Sequence, residues 1–220
     1  MVRKNIAADS SDQVDYLLEM ASVDALRLVS VDGMVQKKED YHKKKGYAPV
    51  GEECVWDQIV IGNKSFPVMC AVCALGILAF VRYDSGYNVT NHAVQSFLRN
   101  EVRASLDLMN NDPFCILDNA SNQSTDGVFD ALDEVFGEQN YAYLPPYSPH
   151  LAPIEKVFSL VKTYIRNDER RGELDPEGIV DEAFLHYMVG HPGASSVRGF
   201  FNGYSVNHQQ WLNDQVQLNF

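Results

Sequence analysis

The sequence predicts an α/β fold in which a mixed sheet is flanked by helices. Three observations carry that expectation. Short apolar runs alternate with stretches of helical periodicity between Ala25 and Val189. The runs between Val55 and Tyr83 follow one another with only turn residues between them, which marks an antiparallel group. Beyond Thr90, single short strands alternate with amphipathic helices.

The elements follow in order. Ser11 and Asp12 cap a short helix that presents Val14, Leu17 and Leu18 on one face. Residues 25–31 read as the first strand, and residues 36–51 as a polar, lysine-rich loop. Residues 55–61, 66–75 and 77–83 read as strands, with Gly62-Asn63 as a turn and Asp84-Ser85-Gly86 closing the group. Ala93, Val94, Phe97, Leu98, Val102 and Leu106 recur at helical spacing, so residues 90–108 form a helix. Residues 114–117 are a short buried strand, 127–136 an amphipathic helix and 141–144 a last strand. A helix over 153–166 buries Ile154, Val157, Phe158, Val161 and Ile165, and another over 178–189 buries Ile179, Val180, Ala183, Phe184, Tyr187 and Met188. These elements divide into a helical lead-in over 1–24, a central α/β domain over 25–170 and a helical extension over 171–220 packed on it.

Composition narrows the classes. At 220 residues and 45% apolar content, the chain can bury one sizeable core. The longest uncharged run, residues 65–81, is broken by Pro67 and Gly76 and reads as two buried strands, so no membrane segment is expected. Cys54, Cys70, Cys73 and Cys115 lack a paired metal-ligand pattern; Cys70-Ala-Val-Cys73 lies in an apolar run and reads as buried thiols in a reducing compartment. No nucleophile elbow, phosphate loop or dinucleotide fingerprint is present. The net charge of −12 disfavours a phosphate-binding surface overall. Two basic clusters oppose that balance: Lys37, Lys38, His42, Lys43, Lys44 and Lys45, and then Lys156, Lys162, Arg166, Arg170 and Arg171.

Chemistry concentrates in three acids. The run Leu28-Val-Ser-Val-Asp32-Gly33 ends an apolar strand in a carboxylate, and Phe114-Cys-Ile-Leu-Asp118-Asn119 repeats the design. The stretch Leu144-Pro-Pro-Tyr-Ser-Pro-His-Leu-Ala-Pro-Ile-Glu155 is stiffened by four prolines, with Pro153 suited to a first helical position and Glu155 in the first turn. Two strand ends and one helix start, each offering a hard oxygen donor, make a candidate site for Mg²⁺ or Mn²⁺. Glu155, Ser159, Lys162 and Arg166 share one helix face by their spacing, which aims two cations the same way as the acid.

These residues resemble the catalytic domain of the Tc1/mariner and IS630-like transposases, the DDE group. The resemblance rests on Asp32, on Asp118-Asn119, on the proline signature ending at Glu155, and on Gly46-Tyr-Ala-Pro-Val-Gly-Glu52 after the first aspartate. Thirty-six residues separate Asp118 from Glu155, a gap of the family's size. Gly33, Gln123, His150, Ala152 and Phe158 depart from the residues the family often carries there. The resemblance implies an RNase H-like fold with a central mixed five-stranded sheet. It implies that Asp32, Asp118 and Glu155 are catalytic metal ligands for two ions, with Asp32 bridging both. It implies a DNA endonuclease that cleaves strands and joins them by transesterification. Lys37, Lys38, Lys43, Lys44, Lys45, Asn119, Lys162 and Arg166 would then contact DNA. A homodimer is expected, located in the nucleus of a eukaryotic host and otherwise in the cytoplasm, and not secreted. The family's recognition module is an amino-terminal helix-turn-helix pair; about two dozen residues precede the first strand here, so that module is expected to be separate or missing. Two rival readings stay open: a degenerate or domesticated relative that binds without cutting, supported by the acidic charge and the departures above, and a nuclease of RNA–DNA hybrids.

Overall fold

The computed structural model describes residues 10–41, 47–53, 64–109, 112–119, 125–168 and 175–201. Five strands form one sheet in the order β3-β2-β1-β4-β5. They are β1 (Leu28–Gln36), β2 (Phe66–Cys73), β3 (Gly76–Arg82), β4 (Phe114–Leu117) and β5 (Tyr141–Tyr143). β1 pairs antiparallel with β2 and β2 with β3, while β1–β4 and β4–β5 are parallel. The mixed five-stranded sheet expected from the sequence is therefore present. The strand expected over 55–61 lies outside the described residues.

Alternation along each strand divides the core in two. On one face Leu28, Met34, Val68, Cys70, Phe114 and Ile116 pack with Ile154, Val157, Phe158, Val161 and Ile165. These last come from α4 (Pro153–Asn167), joined there by α1 (Ser10–Met20) and α5 (Pro176–His186). On the other face Val29, Val31, Met69, Cys115 and Leu117 pack against α2 and α3. α2 starts at Asn91–Ser96, capped by the Thr90 hydroxyl accepting from the Ala93 N–H. It continues through a π-helical stretch (Phe97–Val102) and two short turns to Leu108, and α3 spans Asp126–Phe136. Arg99 and Arg103 both pair with Glu134 and so tie α2 to α3.

Two sequence expectations are corrected. β1 does not stop at Val31. Gly33 through Gln36 continue the pairing with Met69 through Phe66, because the β2 ladder offers partners across the glycine. In α1, Leu18 is exposed; Tyr16, Leu17 and Met20 face the core with Gln13 beside them, the same helical period rotated by one position. Cys70 and Cys73 stand on opposite faces of β2 and are free thiols, as their odd spacing requires.

Residues beyond the last acid pack on this frame. Arg82 of β3 forms a two-pronged pair with Asp181 of α5, at 2.8 and 3.1 Å, and reaches Glu177 at 3.5 Å. The Tyr41 hydroxyl donates to the Pro176 carbonyl. The Ile77 N–H donates to Tyr187 and the Val189 N–H to the Ile77 carbonyl, so main chain covers the edge of β3. A last helical stretch over 195–201 buries Val197 and Phe201. Among the described residues no helix is long and apolar enough to cross a membrane.

Candidate active site

The register of two parallel strands builds one side of the site. Val31 and Leu117 are partners at the last rung of the β1–β4 ladder. Asp32 and Asp118 come next on their strands, so the two acids stand side by side where β4 ends. Both follow residues that face α2 and α3, so pleating sends their side chains to the opposite face, over which α4 lies. Asp32 is thus not at a strand end in the sense the sequence suggested; β1 runs on past it, and only its neighbour β4 stops. The neighbour of Asp32 on its other side is Cys70. Burial, and then the charge of Asp32, hold the Cys70 thiol well above its usual range.

The approach to α4 builds the other side. The Leu144 N–H donates to the Leu117 carbonyl at 2.8 Å, so the proline loop leaves the sheet right beside Asp118. Tyr147 adopts φ +58°, a left-handed conformation that non-glycine residues rarely hold. Ser148 anchors the turn: it is buried, its hydroxyl donates to the Pro146 carbonyl at 3.2 Å, and it accepts from the Gln13 side-chain amide at 2.8 Å. A short turn (Pro149–Leu151) then leads into α4, where buried Pro153 and Ile154 fix the first turn and Glu155 is exposed.

Asp32, Asp118 and Glu155 line one open cavity of about 420 Å³. Each aspartate is steadied by the residue that follows it: Asp32 Oδ1 accepts from the Gly33 N–H at 2.7 Å and Asp118 Oδ1 from the Asn119 N–H at 2.8 Å. Among the described residues, Asp118 and Glu155 form no ion pair, and no three acid, histidine or cysteine side chains are drawn together to ligand distance. The donor set, all carboxylate oxygens on a solvent-open face, fits hard divalent ions.

The remaining sequence candidates are distributed unevenly. Lys37 is exposed after β1, and Lys38 opens a short helical turn (Lys38–Tyr41). Lys43, Lys44 and Lys45 lie outside the described residues. Lys162 Nζ reaches Asp40 at 3.5 Å, so this cation of the α4 face is already engaged, with α4 pinned to the turn after β1. Arg166 donates to Thr163 on its own helix. Asn119 is exposed beside Asp118. His150 is exposed in the turn before α4. At Gly33, an added Cβ would lie 3.1 Å from the Met69 sulfur, which fills the space a side chain there would take.

Sequence reasoning missed one wall. Tyr87, Asn88 and Val89, from the turn after β3, line the same cavity, as do Met34 and Pro67. No periodicity or charge pattern marks those three residues; the stacked Tyr83–Tyr87 rings, 4.6 Å apart, become visible only once the turn is folded.

A family model described as DDE superfamily endonuclease matches residues 27–175, well over half of the chain. The chain belongs to the DDE superfamily endonucleases. The match covers all three carboxylates. Solved structures agree on the fold. The Mos1 mariner paired end complex with Mg is similar at TM-score 0.68 and 17% identity, over 97% of this chain and 64% of that one. The Mos1 transposase paired-end complex with left transposon end gives 0.66 and 17%, over 93% and 60%. The Mos1 catalytic domain with Raltegravir and Mn gives 0.60 and 15%, over 92% of each chain. This endonuclease domain therefore spans about 60% of the Mos1 chain in the paired-end complex, and it has the RNase H-like fold the resemblance implied. No curated protein matches the sequence.

Proposed function

We propose that this DDE endonuclease domain is the catalytic part of a Tc1/mariner-type transposase, which cuts DNA strands and transfers them in a divalent-metal-dependent reaction. The observation that carries the reading is the convergence of Asp32, Asp118 and Glu155 on one open cavity. Asp32 and Asp118 would hold Mg²⁺ or Mn²⁺ from the sheet side and Glu155 from the helix side, with two ions sharing the three acids. When bound, such ions stabilise the attacking and leaving oxygens of an in-line displacement at phosphorus. The protein's own contribution is placement. The sheet fixes two carboxylates at one height. The helix start sets the third across from them. The mouth stays open to a polymer that a closed pocket would exclude. Asn119, exposed beside Asp118, would touch a phosphate oxygen. One Mos1 complex contains a left transposon end, and other Mos1 structures were solved with Mg or with Mn, which supports DNA as partner and these ions as cofactors.

A second reading is favoured by the charge. At −12 overall, and with Lys162 held by Asp40, the described surface offers phosphates few free cations, as suits a relative that assembles or binds without cutting. One assay separates the two. Asp32→Asn, Asp118→Asn and Glu155→Gln each keep size and remove charge, and each should lower Mn²⁺-dependent cleavage of duplex DNA by about 10²–10³-fold or more, the scale of losing a group that acts at the transition state. Circular dichroism should show every fold intact. A variant that cuts at near the wild-type rate removes its residue from the ligand set. A wild-type chain that cuts neither DNA nor RNA–DNA hybrid favours the binding module.

A further inference from the structure

The cavity has an aromatic wall that metal chemistry does not need. Tyr87 lines it together with the three carboxylates, and its ring lies parallel to that of Tyr83, with centroids 4.6 Å apart and planes 7° apart. Tyr83 covers one face of Tyr87, yet Tyr87 remains 42% exposed. The turn that carries it is fixed. The Tyr83 N–H donates to the Pro67 carbonyl, the Tyr87 N–H to the Asp84 carbonyl, and Gly86 supplies the φ of +86° that the turn requires. An exposed ring held rigid by a stacked neighbour loses little conformational entropy when a third ring joins it. Tyr87 is not packed into either core cluster, so burial does not explain its position.

We propose that the free face of Tyr87 is a stacking platform for one unpaired nucleotide base beside the scissile phosphate. The inference rests on the DNA-cutting reading above and adds a contact to the nucleic acid that the carboxylates do not make. Flat aromatic rings recognise splayed bases by stacking, whatever the base, and Asn88, exposed next to Tyr87 on the same cavity wall, offers an amide for the base edge. The platform holds a base out of the helix while the neighbouring phosphate lies over the acids.

The test is a double-mutant cycle on the whole chain, in an Asp118→Asn background that leaves DNA uncut. Duplexes with a short unpaired tract carry an abasic site at each position in turn, and affinity is read by fluorescence anisotropy. At one position the abasic site should weaken binding about tenfold, a typical loss for one stacked base. Tyr87→Ala should weaken binding to the intact DNA by about the same factor and erase the difference between intact and abasic DNA. Tyr87→Phe should restore it, because the ring and not the hydroxyl acts. Additive losses of about a hundredfold, or intact and abasic DNA bound equally by the tyrosine form at every position, would overturn the platform. The DNA-cutting reading then still stands if the otherwise wild-type chain cleaves DNA with Mn²⁺. A chain that neither binds nor cleaves any DNA overturns both.

Discussion

The two sides of the cavity hold their acids by different means. Asp32 and Asp118 sit one residue past a paired rung, so backbone hydrogen bonds of the sheet determine their spacing. Their strands are buried on both faces, and a shift of one residue would turn each acid into an apolar layer. Glu155 has no such ladder. Its place depends on a loop with one left-handed tyrosine, one buried serine and a helix seated through Ile154 and Val157. The difference teaches that the sheet side is specified by topology and the helix side by packing. Damage to packing should therefore appear as lost geometry at Glu155 before it appears at the aspartates.

The largest expected effect tests that claim. Ile154 is fully buried and adjoins Glu155. Ile154→Ala should cost about 2–5 kcal/mol, from lost transfer energy and the cavity left behind. It should also reduce cleavage more than a truncation within the sheet, such as Val29→Ala in β1. Denaturant melts and initial rates, measured together, decide this. If both variants lose activity in the same proportion to stability, the two sides do not differ.

Cation binding sharpens the comparison from the other direction. Three acids around one cavity repel until a cation arrives. Mn²⁺ at about 100 times its dissociation constant should stabilise the chain by roughly 2.7 kcal/mol. For a domain of this size that is on the order of 5–10 °C in Tm. Asp118→Asn and Glu155→Gln should both shrink the shift. An unchanged shift in Glu155→Gln alone would confine the metal to the sheet side, and an unchanged shift in both would place it elsewhere.

Much of this was legible in the sequence, for reasons that differ by element. α4 was legible because prolines fix its start and apolar residues repeat at its period. The pair of aspartates was legible as apolar runs ending in acids, although β1 passes through Asp32 because pairing with β2 outweighs the local break at Gly33. The mixed sheet was legible in the change from adjacent strands to strands separated by helices. Three features were hidden. Leu18 faces solvent because Tyr16 and Met20 provide a second apolar stripe, and tertiary packing selects between stripes. Lys162 is held by Asp40, a partner far away in sequence. The wall at Tyr87, Asn88 and Val89 is an irregular turn, whose position depends on β3 and not on any local pattern.

The smallest expected effect concerns Ser148, and it isolates geometry from stability. Its hydroxyl links the proline loop to α1 through Gln13 and closes the turn at the Pro146 carbonyl. Ser148→Ala removes both bonds and leaves a part-buried amide and a carbonyl without that partner. The cost should be about 1–2 kcal/mol, the scale of such losses. Ile116→Val on the sheet side should cost a similar 0.5–1.5 kcal/mol by removing one buried methyl group two residues before Asp118. Stability therefore changes alike in the two variants. Activity should not. With Ser148 gone, the left-handed Tyr147 turn loses its closing bond, and the start of α4 gains freedom that displaces Glu155. In Ile116→Val, Asp118 keeps its place beside Asp32, because backbone pairing at Leu117 is untouched. Ser148→Ala should thus lower the cleavage rate several-fold and raise the Mn²⁺ concentration needed for half-maximal rate, while Ile116→Val changes neither. Equal rates in the two variants, at matched stability, would show that Glu155 is held as firmly by the helix as the aspartates are by the sheet.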